Sequence, residues 1–282
     1  MKDRDSLFRL NKVSFLYKKF HTKAIDNISI TIDKGHLWGI IGPNGSGKST
    51  LLDLLSGFRR PSAGNIFFNG KKISEYNKKS LSRLISFVPQ KFYINIPFQV
   101  KDIIIMGRYP FIPRFSNPSS YDLYLVNQVI KMLDLENFIN RYITELSGGE
   151  TQRVILACAF VQNTPVMLLD EPTSNMDISY VLKILNIIQK QAKTRGKTAI
   201  MAMHDINLAS MYCDRLIIMK DGKVISYGDT RSILNEEIIS KVFNVECQIY
   251  NDQSTGGRYV IFKKDTYKIT NTDNTYGKSI VQ

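Results

Sequence analysis

An α/β fold with a parallel sheet and an inserted helical region is predicted for this 282-residue chain by three observations. First, a short apolar run at 37–41 leads through a glycine-rich turn into a helix-forming stretch, so a strand feeds a helix through a tight loop. Second, apolar runs at 166–169 and 198–203 flank a long helical stretch at 178–194, a strand–helix–strand crossover that requires parallel pairing. Third, residues 92–164 between these units show helical apolar spacing, broken by Pro97, Pro110, Pro113 and Pro118, with little strand signal.

The elements follow in chain order. Residues 7–32 alternate and are rich in Val, Ile, Phe and Tyr, which predicts two antiparallel strands joined near 21–23. The helix after the first parallel strand spans 48–57 and closes at Gly57. Runs at 66–69 and 85–88 predict two more strands, separated by a polar helical piece. After the helical insert and the crossover, 216–219 and 223–226 form a hairpin around Asp221 and Gly222. Beyond Asp229 come short helices, then a hairpin around Gly256 and Gly257; the polar tail 265–282 is expected to fray. The chain thus divides into a domain over 1–240, with a helical subdomain inserted at about 92–164, and a C-terminal extension over 241–282.

An apolar fraction of 43% predicts a buried core. Lys and Arg outnumber Asp and Glu by 38 to 25, and the resulting +13 predicts an anionic partner, whether nucleotide, nucleic acid or membrane surface. Cys158, Cys213 and Cys247 lie far apart, without metal-ligand or redox spacing, and are expected to be small buried hydrophobes. Residues 1–12 lack the apolar stretch of a signal peptide. The longest apolar runs, such as 154–161, fall short of the ~20 residues that cross a bilayer. A soluble chain that meets a membrane only through a partner is expected.

The glycine-rich turn carries the first chemistry. Gly42, Pro43, Asn44, Gly45, Ser46, Gly47, Lys48 and Ser49 match the phosphate-binding pattern G-x-x-x-x-G-K-[ST] in full. Its glycines let successive N–H groups face a β-phosphate at a helix N-terminus. Lys48 then supplies a mobile charge to the β- and γ-phosphates, and the Ser49 hydroxyl a ligand for Mg²⁺. The run at 166–169 delivers Asp170 to the carboxyl end of a buried parallel strand, where it can hold the Mg²⁺ shell. Glu171 follows, placed to accept a proton from an attacking water. ATP and Mg²⁺ are the cofactors these residues predict.

Leu146, Ser147, Gly148, Gly149 and Glu150 open the apolar helix after the insert. Alone, this pentapeptide reads as a serine N-cap with glycines. Beside the phosphate loop it is a second anion site, and one nucleotide does not need two from the same chain. Two chains packed head to tail would use both.

These stretches together resemble the nucleotide-binding subunits of ABC transporters, in the same order over about 7–228. The resemblance rests on the phosphate loop, Gln90 after Val88 and Pro89, the LSGGE stretch, Asp170 with Glu171, Ser174 to Asp177, and His204. It implies a P-loop NTPase core of α/β type, with an antiparallel β subdomain and an inserted helical subdomain. It also implies roles for matching positions: Tyr17 stacks on adenine, and Thr50 joins the phosphate loop in holding the nucleotide. Gln90 senses Mg²⁺ and water, Asp177 lies on the loop that crosses the dimer interface, and His204 contacts the γ-phosphate. Catalysis would rest on Glu171, His204 and Gln90, and metal binding on Ser49, Gln90 and Asp170. The other copy would contribute Ser147, Gly148, Gly149 and Glu150. Met176 stands where this family usually has Leu, and Cys158 where an Arg is common.

Residues 100–114, VKDIIIMGRYPFIPR, and 204–209, HDINLA, resemble the ATPases of importers for ferric siderophores, haem and cobalamin. The implied partners are a second copy of the chain, an integral membrane permease and, indirectly, a solute-binding protein, with no nucleic acid. The implied location is peripheral, on the cytoplasmic face of the cell membrane. Zinc or manganese importers and exporters share the same core, and a relative acting on nucleic acid would suit the charge but needs insertions this chain lacks. A non-enzymatic scaffold would be expected to lack Glu171 or His204. The stretch 97–114 is expected to dock the permease, with Phe98, Tyr109 and Phe111 as apolar anchors and Arg108 as a polar rim contact.

Overall fold

In the structure, a computed structural model, residues 6–17, 22–90, 92, 96–252 and 257–264 are described. Strands β1 (Ser6–Leu16) and β2 (Lys23–Asp33) pair antiparallel. Position 21 of their predicted joint lies outside the described residues. Strand β3 (Leu37–Ile41) feeds helix α1 (Lys48–Leu55), which stops two residues before Gly57, itself in the left-handed region at φ 73°. Then come β4 (Ala63–Phe68), β5 (Lys71–Lys72), the short helix α2 (Lys78–Ser82) and β6 (Ile85–Val88).

The helical stretch holds α3 (Val100–Met106), α4 (Ser120–Met132) and α5 (Gly148–Gln162), with 3₁₀ turns between α4 and α5. Its prolines fall outside these helices, where a missing N–H does no harm. Strand β7 (Val166–Asp170), helix α6 (Ile178–Arg195) and strand β8 (Thr198–Ala202) complete the crossover. Helix α7 (Ile206–Tyr212) leads to β9 (Arg215–Lys220) and β10 (Lys223–Asp229). Their hairpin turns at Asp221 (φ 49°) and Gly222 (φ 74°), the two left-handed residues that a tight hairpin needs. Helices α8 (Thr230–Ile233) and α9 (Glu236–Phe243) precede the antiparallel pair β11 (Cys247–Asn251) and β12 (Arg258–Phe262). Gly256 of that predicted turn and the tail 265–282 lie outside the described residues.

The central sheet has the order β10-β9-β3-β8-β7-β6, parallel except at the β10 edge. A second, antiparallel sheet runs β2-β1-β4-β5. The central strands are buried on both faces, and side-chain alternation divides them between two cores. Leu37, Met167, Leu169, Met201 and Ile218 face the core shared with the helical insert and α6. Trp38, Ile40, Val166, Leu168 and Ile200 face the core shared with α1 and the antiparallel sheet. The carboxyl ends of β3, β7, β6 and β8 therefore meet along one rim, between the two layers.

Candidate functional site

The phosphate-binding pattern sits on that rim. At Gly42 an added Cβ would lie 2.2 Å from the Met219 carbonyl of β9, and at Gly47 (φ 103°) 2.5 Å from the Ala24 carbonyl. Both positions lack room for a side chain. The loop is tied to its neighbours through backbone: Ser46 N–H donates to Pro43 O at 3.1 Å and Gly222 N–H to Ser46 O at 3.1 Å. Lys48 is buried, and its Nζ donates to Gly42 O at 2.9 Å and Pro43 O at 3.2 Å. Burial lowers the Lys48 pKa, opposed by the charges of Glu171 and Asp170.

Asp170 ends β7 at 4% exposure, and its Oδ1 has no hydrogen-bond partner among the described residues. Burial raises its pKa, the Ser49 hydroxyl opposes this, and the neighbouring Glu171 charge adds to it. Ser46 Oγ is likewise buried and unpartnered. Buried polar groups are nearly always satisfied, so the Asp170 oxygen and the Ser46 hydroxyl are of the kind that a ligand could complete. Glu171 adopts φ 50° and donates its N–H to Ala202 O at 3.2 Å. This turn aims its carboxylate between two partners: Gln90 Nε2 donates to Oε2 at 2.7 Å, and His204 Nε2 meets Oε1 at 2.5 Å. Gln90, Glu171 and His204 thus form one hydrogen-bonded group across the ends of three elements.

A cleft of about 470 Å³ collects Tyr17, Ala24, the loop from Asn44 to Thr50, Gln90, Glu171 and His204. Its volume is in the range of small-molecule sites. Tyr17 is held on its rim by a 3.1 Å contact between its hydroxyl and Thr50 Oγ1, with the Arg59 guanidinium 4.8 Å from its ring centroid. Sequence reading missed three supports here: Ala24, Arg59 and the Gly222 turn. Only the glycine after Asp221 carried a local signal, and that signal was for a hairpin.

The oxygen donors fit a hard divalent cation beside a polyphosphate. Ser49 and the unpartnered Asp170 oxygen are the right ligand types, and Mg²⁺ is usually held by one or two carboxylates plus substrate phosphates. Among the described residues there is no group of three or more His, Cys, Asp or Glu that could hold a metal.

The LSGGE stretch lies elsewhere. Ser147 caps α5 in a capping box: Glu150 N–H donates to Ser147 Oγ at 3.3 Å, and Ser147 N–H to Glu150 Oε2 at 2.7 Å. Those bonds hold the Glu150 carboxyl below its ordinary range. Ser147 and Gly148 are exposed, and an added Cβ at Gly149 would lie 2.7 Å from Asn175 O. Neither Ser147, Gly148, Gly149 and Glu150 nor the exposed Asp177 that precedes α6 is among the residues lining the cleft. The LSGGE stretch and the cleft are therefore separate surfaces of one chain.

One expectation is corrected. Arg108 is not a rim contact: it is 5% exposed, with Nε donating to Asp122 Oδ1 at 2.7 Å and Nη1 to Val161 O at 3.0 Å and Gln162 O at 3.1 Å. It closes the carbonyl end of α5, and Phe111 packs on it with 4.2 Å from guanidinium to ring centroid. Phe98 and Tyr109 are exposed, at 39% and 57%. Cys158 sits under the same turn: its Sγ donates to Ile103 O at 3.1 Å, and an added Cβ at Gly107 would lie 2.3 Å from its carbonyl. Burial pushes its thiol up to about 12, so it is inert packing. Met176 packs against the larger core.

No helix among the described residues is long and apolar enough to cross a membrane. A family model described as "ABC transporter" matches residues 25–174. A cobalamin import ATP-binding protein of Halobacterium salinarum is 36% identical over 235 residues, which cover 83% of this chain and 58% of that protein. The chain thus spans about three fifths of that relative's length. Among solved structures, an inward-facing metal-chelate type ABC transporter superposes with a TM-score of 0.78 at 28% identity, covering 93% of this chain and 99% of the other. A bacterial ABC transporter cassette solved as a dimer gives 0.72 at 30% identity, covering 80% and 99%.

Proposed function

The chain belongs to the ABC transporter family, and we propose that within it this protein is the Mg²⁺-dependent ATPase that powers a membrane importer of a metal chelate, such as a ferric siderophore, haem or cobalamin. The observation that carries the reading is the Gln90–Glu171–His204 group in one cleft with a complete phosphate loop. The cobalamin-importing relative and the metal-chelate transporter structure support the choice of cargo.

In this reading Lys48 leaves the loop carbonyls for the β- and γ-phosphates, and Tyr17 offers its ring to the adenine. Ser49, Asp170 and Gln90 would hold Mg²⁺, which would supply charge neutralisation to the bound polyphosphate. Glu171 takes the proton of the attacking water. Gln90 and His204 fix its carboxylate from both sides, and His204 reaches the γ-phosphate. Ser147, Gly148, Gly149 and Glu150, with Asp177 beside them, face the nucleotide of a second copy in a head-to-tail dimer. Their position away from their own chain's cleft and the dimeric cassette support this. The ATPase domain is 1–240 with its helical subdomain at about 92–164, and 241–282 is an extension. The permease docks beside 97–114 through Phe98 and Tyr109, a solute-binding protein acts from the far side, and the chain sits on the cytoplasmic face of the membrane.

Glu171→Gln tests the chemistry. It removes the proton acceptor but keeps its shape, so steady-state ATP hydrolysis should fall by about 10²–10⁴-fold while ATP binding persists. ATP should then accumulate a dimer on size-exclusion chromatography. Near-normal turnover in this variant would show that another group is the base.

A further inference from the structure

The C-terminal extension is bonded to the helix that follows His204. The Asn207 side chain makes both bonds of a strand-like pair with Val260 of β12: Val260 N–H donates to Oδ1 at 2.7 Å, and Nδ2 donates to Val260 O at 3.2 Å. Val260 is 3% exposed and shares one core with Ile206 and Ala209 of α7 and with Cys247 of β11. At its start, α7 is capped by Asp205, whose Oδ1 accepts from Asn207 N–H at 2.8 Å and Leu208 N–H at 2.9 Å.

His204 stands between two anchors. Met203 N–H donates to Ile40 O at 3.0 Å on one side, and the capping Asp205 starts the helix on the other. Its own side chain is half exposed, so packing does not fix it. Helix α7 has only seven residues, too few to hold its place by its own hydrogen bonds. Besides the strand bond at Met203 and its own contact with Glu171, the placing of His204 depends on α7, and β12 grips α7 at Asn207, three residues from the histidine.

We infer that Asn207 and the β11–β12 hairpin are a positioning device for His204, so that the extension takes part in hydrolysis without touching the nucleotide. This rests on the proposed role of His204 at the γ-phosphate. Asn207→Ala removes both bonds to Val260 and substitutes none of the residues that line the cleft.

The test is ATP hydrolysis by the full-length chain and by Asn207→Ala, His204→Ala and the double variant. Because a small misplacement of a reacting group can cost up to about 10²-fold, Asn207→Ala should lower kcat by roughly 10–100-fold with KM for ATP unchanged. In the His204→Ala background the same change should have no further effect, because residues acting in series are not additive. A merely structural role would give the same fold-loss in both backgrounds, or would raise KM, and either result overturns the inference. Wild-type kcat in Asn207→Ala overturns it as well. Should Asn207→Ala fail to fold, Val260→Pro, which deletes the N–H given to Oδ1, carries the same comparison. If His204→Ala itself hydrolyses ATP normally, the assigned role of His204 fails, and the inference fails with it; if only Asn207→Ala is normal, that role stands.

Discussion

Asp122 and Asp170 are both buried carboxylates, 7% and 4% exposed, and their surroundings are opposite. Asp122 is fully engaged: Arg108 Nε and the Ser119 hydroxyl and N–H all donate to it. Burial pushes its pKa up, but the Ser119 and Arg108 bonds outweigh that and hold it below the ordinary range. Asp170 accepts from the Ser49 hydroxyl, its Oδ1 has no hydrogen-bond partner among the described residues, and burial raises its pKa. The completed group is architecture. The other is left with an oxygen that a cation could complete, as the proposed function requires.

Breaking the completed group should have the larger effect. Arg108→Ala leaves Asp122 buried without its cation and uncaps α5, so we expect a loss of about 3–5 kcal/mol in stability. Thermal melting of the nucleotide-free chain would check this. Asp122→Asn should also destabilise, and its deficit has a defined pH dependence. A carboxyl with a depressed folded pKa adds stability above its unfolded pKa of about 3.9, and that stability is lost as pH falls through the lower folded value. The difference between the native chain and Asp122→Asn should therefore close in strong acid. Equal destabilisation at neutral and strongly acidic pH would remove the pair as its cause.

Asp170→Asn should act in the reverse sense on the two properties. Hydrolysis should fall by about 10²-fold or more, as for loss of a group that fixes transition-state charge. The melting temperature of the metal-free chain should nevertheless rise at neutral pH. Ionised Asp170 is disfavoured in the fold, and that penalty disappears as pH drops from its raised folded pKa towards the unfolded value. The gain from Asp170→Asn should shrink over the same window. A fall in melting temperature at pH 7 would mean that the carboxylate is a structural anchor after all.

The smallest effect belongs to the residue beside Arg108. Tyr109 is exposed, so Tyr109→Ala should change stability by no more than about 0.5 kcal/mol, while permease binding in reconstituted membranes should weaken. A large loss of stability there would erase the contrast between two adjacent side chains of one motif.

That motif marks where sequence reading stopped. The GRYP stretch was legible as special, but the reason was not. The partners of Arg108 are Asp122, 14 residues on, and the carbonyls of Val161 and Gln162, more than 50 residues on. A charged residue type predicts a surface position, since an arginine is seldom buried unless paired. Gly107 carries a similar lesson: its need is space against the Cys158 carbonyl, and nothing near it in sequence announces that. The C-terminal hairpin could be anticipated from its glycines, whereas its docking onto Asn207 depends on two segments 53 residues apart.

The sequence by itself determined the sheet class, the helical insert, the phosphate loop and the acidic pair after β7. Each is a local pattern: strand and helix periods act over a few residues, and phosphate binding needs consecutive N–H groups on one short loop. Only the tertiary structure decided that Gln90, Glu171 and His204 share hydrogen bonds, that Ser147 does not line its own chain's cleft, and that Arg108 is interior. Those facts follow from how strands β6, β7 and β8 lie side by side and how α3, α4 and α5 pack on them, and such contacts between distant segments are fixed by burial and hydrogen-bond completion rather than by neighbours in the chain.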